Sequence, residues 1–110
     1  MLKTEITLEE MVPILKLLGD RTRLTIFSLL RTKQACVCEL VEALEMSQPS
    51  ISQHLRKLRD AKLVKEERRG QWIYYSINEE TTHYLLVEHV LKFVPDQPDL
   101  IEKMKQAKGC

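Results

Sequence analysis

A mainly helical α+β fold is predicted for this 110-residue chain, on three observations. Apolar residues recur every three or four positions in four successive segments before residue 61, the mark of helices with one buried face. Two short extended runs around Gly70 follow and carry the alternation of a β-hairpin. A last stretch, from Glu79 to Val94, is again helical in character. With 44% hydrophobic and 30% charged residues, positions 1–110 suffice for one compact domain and leave no length for a second.

The elements follow in order. Thr7 and Glu10 have capping-box spacing, so a first helix spans about 7–19, interrupted or kinked near Pro13 and stopped by Gly19. Asp20 can cap a second helix that runs through Thr32, with Leu24, Phe27 and Leu30 turned to a core. A third helix covers about Ala35 to Leu44. After a turn at Glu45 and Met46, Ser47 is a good N-cap for a fourth, about 47–60, whose first turn tolerates Pro49. The extended runs Leu63 to Arg68 and Gln71 to Ile77, with Arg69-Gly70 as the turn, make a hairpin over about 63–77. In its second strand Trp72, Tyr74 and Ser76 lie on one face and Ile73, Tyr75 and Ile77 on the other.

The helix over about 79–94 is apolar around most of its circumference: Tyr84, Leu85, Leu86, Val87, Val90, Leu91, Phe93 and Val94. Cover on one side would leave much of that surface wet, so the terminal helices are expected to build a dimer interface. The tail beyond Pro95 reads as one more short polar helix, with Gly109 and Cys110 frayed. Helices three and four form a helix-turn-helix and the hairpin is its wing. The longest apolar run falls far short of the roughly 20 residues of a membrane span, and no basic-then-apolar leader precedes Thr7. A soluble, cytoplasmic protein without membrane contact is expected.

The net charge of +1 is uninformative, but its distribution is not. Residues 47–72 carry +4, and the rest of the chain carries −3. A basic centre between acidic flanks suits a polyanion, although a solvated mixed-charge face has the same composition. On the fourth helix Ile51, Leu55 and Leu58 form a narrow apolar stripe at about 100° per residue. Pro49, Ser52, Gln53, Arg56 and Lys57 project from the opposite face. An amide beside a guanidinium is suited to adenine and guanine edges in a DNA major groove. Ser47, Gln48 and Ser50 at the helix start can reach phosphates. His54, at the margin of the stripe, serves either as a DNA contact or as a half-buried hydrogen-bonding residue. At the wing tip Arg68, Arg69 and Gln71 surround Gly70, a tip that can enter a minor groove or clamp phosphates. Basic hairpin tips also discourage edge pairing.

Three cysteines do not make a disulfide framework, and their small number points to reduced thiols. Cys36 and Cys38 open the third helix. On an ideal helix they flank the buried stripe of Val37, Leu40, Val41 and Leu44 about 200° apart, so their Cβ vectors diverge and a disulfide between them is disfavoured. A soft ion would reach both sulfurs if the first turn loosened. Two small buried side chains without a ligand are the alternative.

This pattern resembles the ArsR/SmtB metal-sensing repressors, and within them the arsenical-resistance repressors, over roughly Leu15 to Ile77. Leu17-Leu18-Gly19-Asp20-Arg21-Thr22-Arg23-Leu24 resembles the opening helices, Ala35-Cys36-Val37-Cys38-Glu39-Leu40 the cysteine box, and Ser47-Gln48-Pro49-Ser50-Ile51-Ser52-Gln53-His54-Leu55 the reading helix. The resemblance implies a homodimer on double-stranded operator DNA that represses a resistance operon when empty and leaves it when As(III) or Sb(III) binds Cys36 and Cys38. It implies no catalytic cofactor. The third cysteine that some arsenic sensors carry would fall at position 41, which is Val41 here, so Cys110 is the remaining candidate for a third thiolate, with a small-molecule thiol as the alternative. The interfacial zinc site of some relatives is incomplete: Thr81 replaces the aspartate before His83, and Val94 replaces a later histidine. Cadmium and lead sensors draw cysteines from an N-terminal arm, and the first 35 residues contain none.

Three other classes stand beside this reading. A cadmium-, lead- or zinc-responsive or thiol-redox-responsive regulator would use the same fold. A small thiol enzyme would need an activated nucleophile, and neither a Gly-rich loop nor a Cys-x-x-Cys is present. An interaction-only winged helix fits the overall charge but not the Gln53 and Arg56 face.

Overall fold

The computed structural model describes residues 6–107, so Cys110 lies outside the described residues. Helix α1 (Leu8–Leu18) starts where Thr7 Oγ1 accepts from the Glu10 N–H at 3.2 Å and runs unbroken through Pro13. Helix α2 (Arg21–Thr32) starts where Asp20 accepts from the Arg23 N–H at 3.0 Å. That bond is the largest reason why the Asp20 carboxyl sits below its ordinary value.

The short strand β1 (Ala35–Cys36) precedes α3 (Val37–Leu44), and α4 (Gln48–Asp60) follows a turn at which Glu45 adopts a left-handed φ of 52°. Strands β2 (Val64–Arg69) and β3 (Trp72–Ile77) pair from Val64↔Ile77 to Arg69↔Trp72. The two-residue turn is therefore Gly70-Gln71, one position later than the sequence suggests. Gly70 has φ 63°, which explains the glycine, because a Cβ there would meet no neighbour and only the backbone requires it. β1 joins the other edge of β3, giving the sheet order β1-β3-β2.

Helix α5 (Tyr84–Lys92) is shorter than the expected 79–94. Asn78 accepts from the Glu80 N–H and donates to the Lys62 carbonyl, and the Thr81 hydroxyl accepts from the His83 N–H. These local bonds hold the segment in turns and delay the helix. At the other end the Arg31 guanidinium donates to the carbonyls of Leu91 and Val94 and pairs with Asp96 at 3.2 Å, closing α5 from outside.

Helix α6 (Pro98–Lys105) is amphipathic rather than merely polar: Met104 is buried, Leu100 and Ile101 pack on the core, and Lys103 reaches Glu45 at 3.1 Å. It lies on α3. The core gathers Leu18, Ile26, Phe27, Leu29, Leu40, Ile51, Leu55, Leu58, Leu63 and Val87. Tyr75 and Ile77 are the face of the wing that packs against it. Outside it remain Leu8, Val12 and Leu15, which share one side of α1, together with Leu85 and Phe93, the last 87% exposed. Among the described residues no helix is long and apolar enough to cross a membrane.

Candidate DNA-binding surface and cysteine site

Helix α4 buries Ile51, Leu55 and Leu58, and so turns its polar side outward. Ser47 caps it, accepting from the Ser50 N–H at 3.3 Å and donating to the Ser50 hydroxyl at 3.0 Å. Gln48 donates to the Ser52 hydroxyl at 3.0 Å. Gln53, Arg56 and Lys57 are exposed along the middle of the helix, while Ser50 and Ser52 are half-buried. His54 is half-buried, and its Nδ1 meets Arg23 Nη1 at 3.1 Å. Of its two expected roles, this geometry favours the hydrogen-bonding one.

At the wing, Arg68, Arg69 and Gln71 are exposed, but the two arginines differ. Arg69 pairs with Glu67, donates to Gln34 Oε1 at 3.0 Å and stacks 4.9 Å from the centre of the Tyr74 ring. Arg68 makes no hydrogen bond or ion pair among the described residues. Its charge is the one unspent at the tip.

The cysteine box departs from the ideal helix assumed from the sequence. Ala35 and Cys36 pair with Tyr75 and Tyr74 of the wing strand, so Cys36 has extended dihedrals and caps α3 from outside it. Helical arithmetic then no longer applies, and the sulfurs of Cys36 and Cys38 lie 3.6 Å apart rather than on opposite margins. No loosening of the first turn is needed to bring them together. Cys38 is disulfide-bonded in this structure, contrary to the reduced thiols expected from the sequence, so a single ion bridges the pair through metal–thiolate bonds of about 2.3 Å only after that bond is reduced. Glu39 completes a capping box: its carboxylate accepts from the Cys36 N–H at 3.0 Å and pairs with Lys33 at 3.2 Å. Burial pushes the Cys36 thiol above its ordinary value, the Glu39 N–H draws it part of the way back, and the Glu39 carboxylate adds to the rise.

Two cavities meet at Cys36. One, of about 380 Å³, is lined by Cys36, Val37, Cys38, Gln48, Gln71, Trp72 and Ile73. It places both sulfurs beside the start of the reading helix and the wing. The other, of about 440 Å³, is lined by Lys33, Gln34, Cys36, Glu39, Tyr74 and Ala107. Trp72 and Tyr74 were not singled out as site residues from the sequence. The signal was their shared strand face, which only the pairing of β1 with β3 attaches to the cysteines.

No group of three or more ligating His, Cys, Asp or Glu side chains converges among the described residues. His83 Nε2 meets Glu10 Oε2 at 3.1 Å and its Nδ1 is buried without a partner, while His89 Nδ1 bonds to the Leu85 carbonyl at 2.7 Å. The histidines have separate duties.

A helix-turn-helix presenting an exposed polar helix, flanked by a three-stranded wing, defines a winged helix-turn-helix protein. The chain belongs to the arsR family of bacterial regulatory proteins, whose sequence profile matches residues 20–66. It is 44% identical over 84 residues to the arsenic resistance transcriptional regulator ArsR1 of Pseudomonas putida, covering 76% of this chain and 64% of that one. It is 41% identical over 76 residues to the arsenical resistance operon repressor of Bacillus subtilis, covering 68% and 72%. The chain thus spans just under two thirds of the Pseudomonas relative. Among solved structures, the transcriptional repressor PagR of Bacillus anthracis superposes with a TM-score of 0.66 at 35% identity, over 80% of this chain and 95% of that one. HlyU of Vibrio cholerae gives 0.69 at 30% identity, over 78% and 92%. The family and these relatives are transcriptional regulators, not enzymes.

Proposed function

We propose that the chain is a metalloid-responsive repressor, a single DNA-binding domain that acts in the cytoplasm as a homodimer. It holds double-stranded operator DNA when empty and releases it when As(III) or Sb(III) binds Cys36 and Cys38. The observation that carries this reading is the cavity shared by both sulfurs, Gln48 of the reading helix and Gln71 and Trp72 of the wing. A ligand held there changes the wall that the two DNA-facing elements have in common. The reading helices of the dimer then lose their spacing.

In the DNA-bound state Gln53 and Arg56 read base edges, with Lys57 beside them, while His54 is held by Arg23. Ser47, Gln48, Ser50, Ser52, Arg68, Arg69 and Gln71 contact phosphates or the neighbouring groove. A second copy covers the outward stripe of Leu8, Val12 and Leu15 and the exposed Leu85 and Phe93. Cys110 supplies the third thiolate, within a subunit or between subunits. Ala107 borders the second cavity at Cys36, which is what places the tail near the pair.

Operator binding by the reduced protein tests the whole reading, measured with arsenite, antimonite, cadmium and zinc and repeated for Cys36→Ser and Cys110→Ser. Release by arsenite or antimonite that Cys36→Ser abolishes is expected. If Cys110→Ser leaves arsenite affinity and release unchanged, the third-ligand assignment is lost. The 3.6 Å separation of the sulfurs also favours a second reading, a thiol-redox regulator at the same pair. Release by oxidant but not by arsenite would select it.

A further inference from the structure

We infer that Arg23 is a positioning residue for DNA reading: its guanidinium ties the end of α1 to His54 of the reading helix and so fixes how α4 sits relative to the dimerisation helices. The inference rests on the DNA-binding reading above.

Arg23 Nε donates to the Leu17 carbonyl at 2.7 Å, and Nη1 lies 3.1 Å from His54 Nδ1. Leu17 is in the last turn of α1, where carbonyls lack partners within their own helix. One half-buried side chain therefore spans three helices: it grows from α2, caps α1 and reaches α4. The remaining anchors of α4 in the core, Ile51, Leu55 and Leu58, are apolar and hold it without a directional bond. A rotation of α4 about that stripe would break the Arg23–His54 contact and swing Gln53 and Arg56 off the groove. Because α1 carries the outward apolar stripe, the same tie links the face for a second copy to the helix that reads DNA.

The contact also dictates the state of His54. A guanidinium only donates, so Nδ1 must hold a lone pair and the ring proton must be on Nε2. The charged groups facing the imidazole from α2 are Arg23 and the N-cap carboxylate of Asp20, which feels both. Lys57 stands one turn further along α4. From α3 and β2, which also touch α4, no charged side chain bonds to His54 among the described residues: Glu39 is with Lys33, Glu45 with Lys103 and Glu66 with Arg59.

The test uses the reduced full-length chain and a duplex of the promoter DNA immediately upstream of its own gene. Affinity is read for wild type, Arg23→Ala, His54→Ala, the double variant and His54→Asn, with dimerisation and arsenite binding measured on the same samples. Arg23→Ala and His54→Ala should each weaken DNA binding about tenfold, with no further loss in the double variant, since the two act as one contact. Dimerisation and arsenite affinity should be retained. His54→Asn, whose Oδ1 accepts where Nδ1 did, should recover most of what His54→Ala loses. Affinity of His54→Ala within twofold of wild type, additive losses in the double variant, or no recovery in His54→Asn would overturn the inference. The two His54 variants keep it testable if Arg23→Ala does not fold. A wild type that does not bind the duplex would overturn the DNA reading, and this inference with it.

Discussion

The reading helix and the cysteine box lie side by side but are held by opposite means. α4 is fixed by a buried stripe of its own, Ile51, Leu55 and Leu58, and by a serine cap within its first turn. Cys36 is fixed by something remote in sequence, the Tyr74 and Tyr75 backbone of the wing. A helix anchored by local pattern keeps its shape when a neighbour changes. A cap anchored by two paired residues moves when its pairing moves, as the proposed sensing role requires.

The first way to break this comparison is at the stripe. Leu58→Ala, fully buried, should cost about 2 to 5 kcal/mol in denaturant unfolding. A loss below about 1 kcal/mol would mean that α4 is not anchored as described.

The next effect is at the cap of α2. Asp20→Ala should cost about 1 kcal/mol. Because the folded-state carboxyl lies below its ordinary value of 3.8, its contribution is complete above that value and is lost as the pH falls through the lower, folded one. Wild type and Asp20→Ala should therefore converge in stability only in strong acid, as thermal unfolding across pH would record.

The wing sharpens the contrast between a spent and an unspent charge. Arg68→Ala should reduce the salt dependence of DNA binding by about one phosphate contact, and Arg69→Ala by less, since Arg69 already serves Glu67, Gln34 and Tyr74. Gln53→Ala should instead change sequence preference, which a binding panel of base-substituted duplexes would show. The smallest effect is expected at Glu45, whose φ of 52° suits glycine. Glu45→Gly should stabilise by no more than about 1 kcal/mol, offset by the lost Lys103 pair.

How far each region could be read in advance follows from the same physics. Thr7, Asp20 and Ser47 cap the helices they were expected to cap, because capping is settled by residues three apart. Ile51, Leu55 and Leu58 are buried as their spacing implies. The cysteine geometry was not legible, because a strand pairing from Ala35 to Tyr75 crosses 40 residues and overrides the helical pattern of the segment. The start of α5 was hidden for a related reason, since Asn78 and Thr81 spend their hydrogen bonds on turns while the apolar pattern runs on past them. Gln34, one partner of Arg69, and Arg23, the partner of His54, lie 35 and 31 residues away, beyond any local rule.

The central claim is that the cysteine pair and the reading helix are two ends of one equilibrium. It is tested most directly by titrating arsenite into the reduced protein, free and saturated with operator DNA. The account predicts that DNA weakens arsenite binding by the same factor by which arsenite weakens DNA binding, about 5- to 150-fold for a coupling of this kind. Equal arsenite affinity in the two titrations would contradict it.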